Sequence, residues 1–217
     1  PKNGAGEVYT RMAQKIKDNG GTILLEKPVK RVITANNKAD GIETIDGNKY
    51  KFDYVISTMP LTLMVKALED VPSTVMDNIN KLKFRSAILV YLRINSDKLF
   101  PDQWVYMHAR DLKMGRVTNF RNWAPTLYGD EKDSILTIEY WCNPDDDFWN
   151  KSDKELSELA SREIVESGLL KNEKVLDTYV YRIKRCYPIY SKGYKSYLKP
   201  VQDYLDTIEG RSEERRV

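Results

Sequence analysis

Between Val29 and Pro60 the chain alternates short apolar runs with turn chemistry and then stops at a proline, and few folds accommodate that order. Val29 to Ala35 reads as extended, with Val29, Val32 and Ile33 apolar. Asn36-Asn37-Lys38-Ala39-Asp40-Gly41 follows as a turn, because Asn, Asp and Gly tolerate positive φ. Asp46-Gly47, between Ile42–Ile45 and Lys49–Phe52, is a sharper hairpin signal. Together these segments predict a small antiparallel meander. Tyr54-Val55-Ile56 is then a buried strand. It ends at Pro60, which heads a helix over residues 61–68, since a proline at the first helical position gives up no hydrogen bond.

The flanking sequence adds helices first and strands later. Val8, Met12, Ala13 and Ile16 form one apolar stripe at helical spacing, and Gly20-Gly21 ends that helix. Thr22 to Leu25 reads as a short apolar strand, and Ser73 to Leu82 as a short helix. From Ser86 to Ile94 the apolar run is near-continuous, as in a strand buried on both faces. Further strands are expected at Trp104–His108, Arg116–Phe120, Ile135–Cys142 and Leu176–Arg185. Ser152 with Glu155 fits a capping box ahead of Leu156, Leu159, Ala160, Ile164 and Val165, with Gly168 closing that helix. A last helix runs from about Lys195 to Ile208, with Pro200 at a kink or in its first turn. The fold class is therefore α+β: a mixed, largely antiparallel sheet with flanking helices, plus the meander. The shift in texture near Leu82 to Arg85 divides residues 1–83 from 84–210, and the charged 211–217 reads as a disordered tail.

Charge and residue usage remove several functions. The 217 residues carry 35 basic and 32 acidic side chains, a net charge of +3 that gives no basic stripe of the kind nucleic acid requires. Arg182, Lys184, Arg185 and Lys192 sit among tyrosines, which suits the solvated side of a strand. No apolar run approaches the roughly 20 residues of a membrane span. The start at Pro1-Lys2-Asn3-Gly4 lacks the apolar segment of a secretory leader. Cys142 and Cys186 form no CxxC pair and sit in apolar strand patterns, which points to a reducing, cytoplasmic setting. With His108 as the one histidine, neither a His-based metal site nor a Ser-His-Asp triad is expected. No residue is singled out as catalytic.

Pro1-Lys-Asn-Gly-Ala-Gly6 with its helix, Gly20-Gly-Thr-Ile23, Pro28-Val29 and Tyr54-Val-Ile-Ser-Thr-Met-Pro60 stand in a characteristic order. That order resembles the glycine loop, helix, adenine-side strand, meander and Ile-x-x-x-Pro of the FAD-dependent amine-oxidase-like superfamily. Arg116-Val-Thr-Asn-Phe-Arg-Asn-Trp-Ala-Pro125, Glu139-Tyr-Trp-Cys142 and Cys186-Tyr-Pro-Ile-Tyr190 resemble its substrate-domain strands. They are most similar to the protoporphyrinogen-oxidase-like and UDP-galactopyranose-mutase-like branch. The Gly-x-Gly-x-x-Gly of a Rossmann half is not among these residues. The resemblance thus implies part of a flavoprotein, with 1–83 a segment of the FAD-binding domain and 84–210 the substrate-binding domain.

On the cofactor side the resemblance implies contact of Val29 with adenine through its main chain, and of Thr58, Met59 and Pro60 with the adenosine and pyrophosphate. By their own chemistry Val29 and Met59 suit an ordinary core better, and it is the resemblance that brings them to the cofactor. On the substrate side it implies Asn119, Arg121, Trp123, Tyr140, Tyr187 and Tyr190. If Arg116 to Trp123 is one strand, Asn119, Arg121 and Trp123 share a face with Val117, and Arg116 points away. An Arg beside Trp and Tyr suits a phosphate and a stacked ring, or simply a surface charge over interior aromatics.

The expected function is an FAD-dependent oxidoreductase acting on a small molecule, this chain supplying the substrate wall and part of the adenosine side without retaining FAD alone. A UDP-galactopyranose-mutase-like enzyme acting on a sugar nucleotide is the second reading. A non-catalytic binding module is the third.

Overall fold

A computed structural model describes residues 2–213. In chain order the elements are α1 (Gly6–Asp18), β1 (Val29–Ala35), β2 (Lys38–Thr44), β3 (Lys49–Lys51), β4 (Val55–Ser57), α2 (Leu61–Lys66) and α3 (Ser73–Lys81). There follow β5 (Phe84–Ile94), β6 (Trp104–Tyr106), β7 (Arg116–Asn119), the single turn α4 (Phe120–Trp123) and β8 (Ser134–Cys142). The last are α5 (Asp153–Glu166), β9 (Val175–Pro188), α6 (Tyr194–Asp206) and β10 (Arg211–Glu213). The class is α+β. The chain divides into two compact units, each discontinuous in sequence: Pro1–Thr22 with Phe84–Tyr187, and Ile23–Lys83 with Pro188–Val217.

In the second unit, β1, β2 and β3 form the antiparallel meander. Its first turn is tighter than expected. Asn36 and Asn37, at φ of 50° and 58°, close a two-residue loop between the paired Ala35 and Lys38, the primed geometry that matches strand twist. Gly41 is consequently inside β2 rather than in the turn. A Cβ there would come within 2.1 Å of the Tyr50 carbonyl oxygen, so glycine lets β2 and β3 approach. Gly47, at φ 83°, makes the second turn as expected. Helices α2, α3 and α6 bury Met64, Val65, Ile79, Val201 and Leu205 against Val32. Pro200 lies well inside α6, not in its first turn, and cannot donate to the Ser196 carbonyl.

Strand β4 pairs in parallel with β10, Val55 opposite Arg211. Arg211–Glu213, which composition places in a tail, are therefore a strand; 214–217 lie outside the described residues. Thr22 to Leu25 is not a strand: among the described residues no neighbour pairs with it, and Leu24 and Leu25 are exposed.

The first unit is a five-stranded sheet in the order β6-β7-β8-β5-β9, with β6–β7, β7–β8 and β8–β5 antiparallel. One face buries Ile88, Val90, Leu92, Leu136 and Ile138 against Leu156, Ala160 and Ile164 of α5. The Ser152–Glu155 capping box starts α5 and Gly168, at φ 76°, follows its end. The other face is only partly covered: Ala87 is buried, but Leu89 and Tyr91 are half-buried and Arg93 is exposed. Strand β5 is thus covered fully on one side alone. Helix α1 has its apolar stripe as predicted, yet none of its residues is buried.

Candidate functional site

Two places bring together residues with chemistry, one in each unit. In the second unit, a cavity of about 250 Å³ lies against the meander and β4, walled by Val29, Ile42, Phe52, Val55 and Met59. Its polar side chains are Tyr54, whose hydroxyl donates to the Arg211 carbonyl, and Ser57, whose hydroxyl is buried and has no partner among the described residues. A buried hydroxyl left unpaired costs about 1–3 kcal/mol, so Ser57 has unused hydrogen-bonding capacity at this cavity. Of the residues expected on the cofactor side, Val29 and Met59 line this cavity. Thr58 is exposed outside it, and the Pro60 carbonyl is taken by the amides of Leu63 and Met64 at the start of α2.

In the first unit, the open face of the sheet is set by alternation. Strand register places Trp104 opposite Thr118 and Thr118 opposite Thr137, with Tyr106, Arg116 and Glu139 aligned in the next row. Arg116 and Glu139 form a two-pronged ion pair, Nε to Oε1 and Nη2 to Oε2 at 2.8 Å each, and Nη1 donates to the Tyr106 hydroxyl at 3.1 Å. The Trp104 and Trp123 rings stack at 4.9 Å, and Tyr106 lies 6.2 Å from Trp141. Tyr91 contacts Phe120 and Tyr179 at 6.4 and 6.1 Å. Gly115 lets Trp141 lie against the backbone, since a Cβ there would sit 2.3 Å from the indole.

The electrostatics favour a fixed, quiet site. Burial alone would lower the Arg116 pKa, but the bonds to Glu139 and Tyr106 outweigh it and push it upward. Burial raises the Tyr91 hydroxyl and the Cys186 thiol, and the Glu139 charge adds to both. Cys186 therefore stays protonated at neutral pH and is a poor nucleophile. Cys142 is likewise raised by burial. His108 is exposed and belongs to no cluster; among the described residues no group of side chains could hold a metal ion.

The residues expected on the substrate side are dispersed. Strand β7 ends at Asn119, whose side chain accepts from the Arg121 amide at 3.2 Å and starts the turn α4. Strand parity stops there, so Arg121 and Trp123 are not on the face of Val117. Asn119 is buried and donates to the Phe100 carbonyl. Arg121 donates to Ser134 Oγ and to the carbonyls of Glu131 and Asp133, over the Tyr128 ring at 4.1 Å. Trp123 reaches the open face. Tyr140 is in the core, its hydroxyl donating to Glu163 at 2.9 Å and its pKa raised by burial. Tyr187 is exposed at the end of β9; Tyr190 is exposed in the other unit, against Tyr194 at 5.0 Å. Sequence reasoning set Arg116 aside and did not select Glu139. Their signal was alternation within β7 and β8, readable only once the register was known.

The sequence profile of flavin containing amine oxidoreductases matches residues 1–206, and the chain belongs to that family. Its fold is similar to that of reduced UDP-galactopyranose mutase, with a TM-score of 0.75 and 18% identity over 94% of this chain and 45% of that one. It is also similar to an oxidoreductase from Methanosarcina mazei, with a TM-score of 0.64 and 18% identity over 83% and 43% of the two chains. A redesigned putrescine oxidase aligns with a TM-score of 0.60 and 14% identity, over 82% of this chain and 38% of that one. This chain thus spans less than half the length of these solved relatives. No curated protein matches it.

Proposed function

We propose that this chain supplies the substrate wall and part of the adenosine side of an FAD-dependent oxidoreductase. The observation that carries the reading is the apolar cavity with the orphaned Ser57 hydroxyl, whose walls include Val29 and Met59, two of the residues expected against the adenosine. Its walls and its one unpaired polar atom fit a flat heteroaromatic ring carrying a ribose. Val29 and Met59 would enclose the ring and Ser57 would bond a ribose or ring atom, with Thr58 and Pro60 toward the pyrophosphate. When bound, FAD supplies a hydride acceptor. The chain's own contribution is to hold the adenosine end and to present the open sheet face, with Trp123, to the substrate. In this reading the unit of Ile23–Lys83 with the segment from Pro188 serves the cofactor, and the unit of the five-stranded sheet serves the substrate.

The cavity alone covers too little of FAD to retain it. After purification the chain is expected to show no flavin absorbance, while titration with FAD perturbs the amides of Val29, Ser57 and Met59 in NMR spectra. Ser57→Ala weakens that binding by about 1 kcal/mol, roughly fivefold. Perturbations confined to other residues would sink the reading. A Gly-x-Gly-x-x-Gly segment encoded upstream of Pro1 in the parent gene would support it.

The exposed Trp104–Trp123 stack favours a second reading, a mutase-like enzyme in which that stack receives the base of a sugar nucleotide. UDP binding lost on Trp123→Ala would select it; indifference of the chain to UDP would exclude it.

A further inference from the structure

Arg116 does not use all of its donors. A guanidinium has five N–H groups; the bonds to Glu139 and Tyr106 engage three, which leaves two with no protein acceptor among the described residues. Glu139 and Tyr106 fix the plane of the fork, so the remaining N–H groups are held in a set direction. On β8, two positions before Glu139, Thr137 has a hydroxyl that is buried and unpartnered among the described residues, its residue only 2% exposed. Alternation sets Thr137 with Glu139 on the open face, opposite the core residues Leu136 and Ile138. Two aromatic pairs, Trp104 with Trp123 and Tyr106 with Trp141, lie on this face. The centre of the face thus has donor capacity but no net charge, because Glu139 cancels Arg116. A bare arginine would draw anions; a paired one gives them little long-range attraction.

We propose that Arg116 hydrogen-bonds an oxygen of the substrate, with Glu139 as its positioning residue, and that the part of the substrate lying on this face is an uncharged ring bearing oxygen acceptors. This rests on the open face being the substrate wall, and it does not depend on the adenosine cavity.

The test uses the full, isotope-labelled chain and follows the indole N–H signals of Trp104, Trp123 and Trp141, with Trp149 on the core side as the folding reference. The probes are methyl α-glucoside, benzamide and glucose 1-phosphate. At least one neutral probe is expected to shift the open-face indoles and to bind no more weakly than the phosphate; which one does so separates a sugar from an aromatic ring. Arg116→Lys, which loses the planar fork, weakens the neutral probe about tenfold. Glu139→Gln leaves the guanidinium charge uncancelled and strengthens glucose 1-phosphate binding about tenfold. The proposal is overturned if neither neutral probe shifts these signals, if the unmodified chain prefers the phosphate, or if Arg116→Lys binds the neutral probe unchanged. The unmodified chain's preference decides the matter should a variant fail to fold. FAD titration reads the cofactor cavity separately, so either reading can fail while the other stands.

Discussion

On β8, Leu136, Ile138 and Tyr140 enter the helix-covered face, while Thr137, Glu139 and Trp141 take the other, where Thr137 and Glu139 are also buried, at 2% and 7% exposure. Each face handles its polar groups differently. On the covered side the Tyr140 hydroxyl and two backbone amides, of Lys113 and Met114, converge on the buried Glu163, and that cluster is closed. On the open side Arg116 and Glu139 satisfy each other and still leave donors over. A buried polar group that holds a fold is saturated by its neighbours.

Substitutions should separate the two faces by size of effect. Ile138→Ala opens a cavity in the covered face and should cost about 2–5 kcal/mol in urea unfolding. Gly115→Ala drives a methyl into the Trp141 indole and should cost about 1–3 kcal/mol, read in the same way; a neutral result would mean that the indole is free to leave the backbone. Tyr140→Phe removes one of three bonds to Glu163, for about 1 kcal/mol. Trp123→Ala should stay within about 0.5 kcal/mol, although it strips an aromatic from the open face. A loss there comparable to that of Ile138→Ala would show the open face to be structural and break the comparison.

The smallest effect is one of pH. The Ser152 amide and hydroxyl and the Lys151 ammonium hold the Glu155 carboxyl at about 2, down from 4.5. A depressed carboxyl stabilises the fold above its unfolded pKa and loses that contribution as pH falls through the folded one. Stability should therefore decline between about pH 4.5 and 2, and Glu155→Gln should flatten that part of the curve.

Much of the fold was legible because its signals are short-range. The Ser152–Glu155 box, the Gly20 and Gly168 helix ends, the Asp46-Gly47 turn and the β5 and β8 apolar runs are each written within a few residues. Gly41 was misplaced because Asn36-Asn37 completes the turn alone, and the glycine answers instead to the Tyr50 carbonyl across the sheet. The candidate site was less legible. A parity argument carried from Arg116 to Trp123 fails at Asn119, where one side-chain bond to the Arg121 amide turns strand into helix. Val29 and Met59 do line one cavity, but the Ser57 hydroxyl becomes informative only when its burial is known.

By itself, then, the amino-acid order determined the element types, the meander and the family, through capping, turn chemistry and apolar periodicity. Tertiary structure decided that Arg116 meets Glu139, 23 positions away, that Tyr140 faces the core, and that Arg211–Glu213 joins β4 from the far end of the chain. The physical reason is range. Caps and turns are satisfied by neighbours in sequence, whereas register and face are set by strands that meet only after the chain has closed long loops.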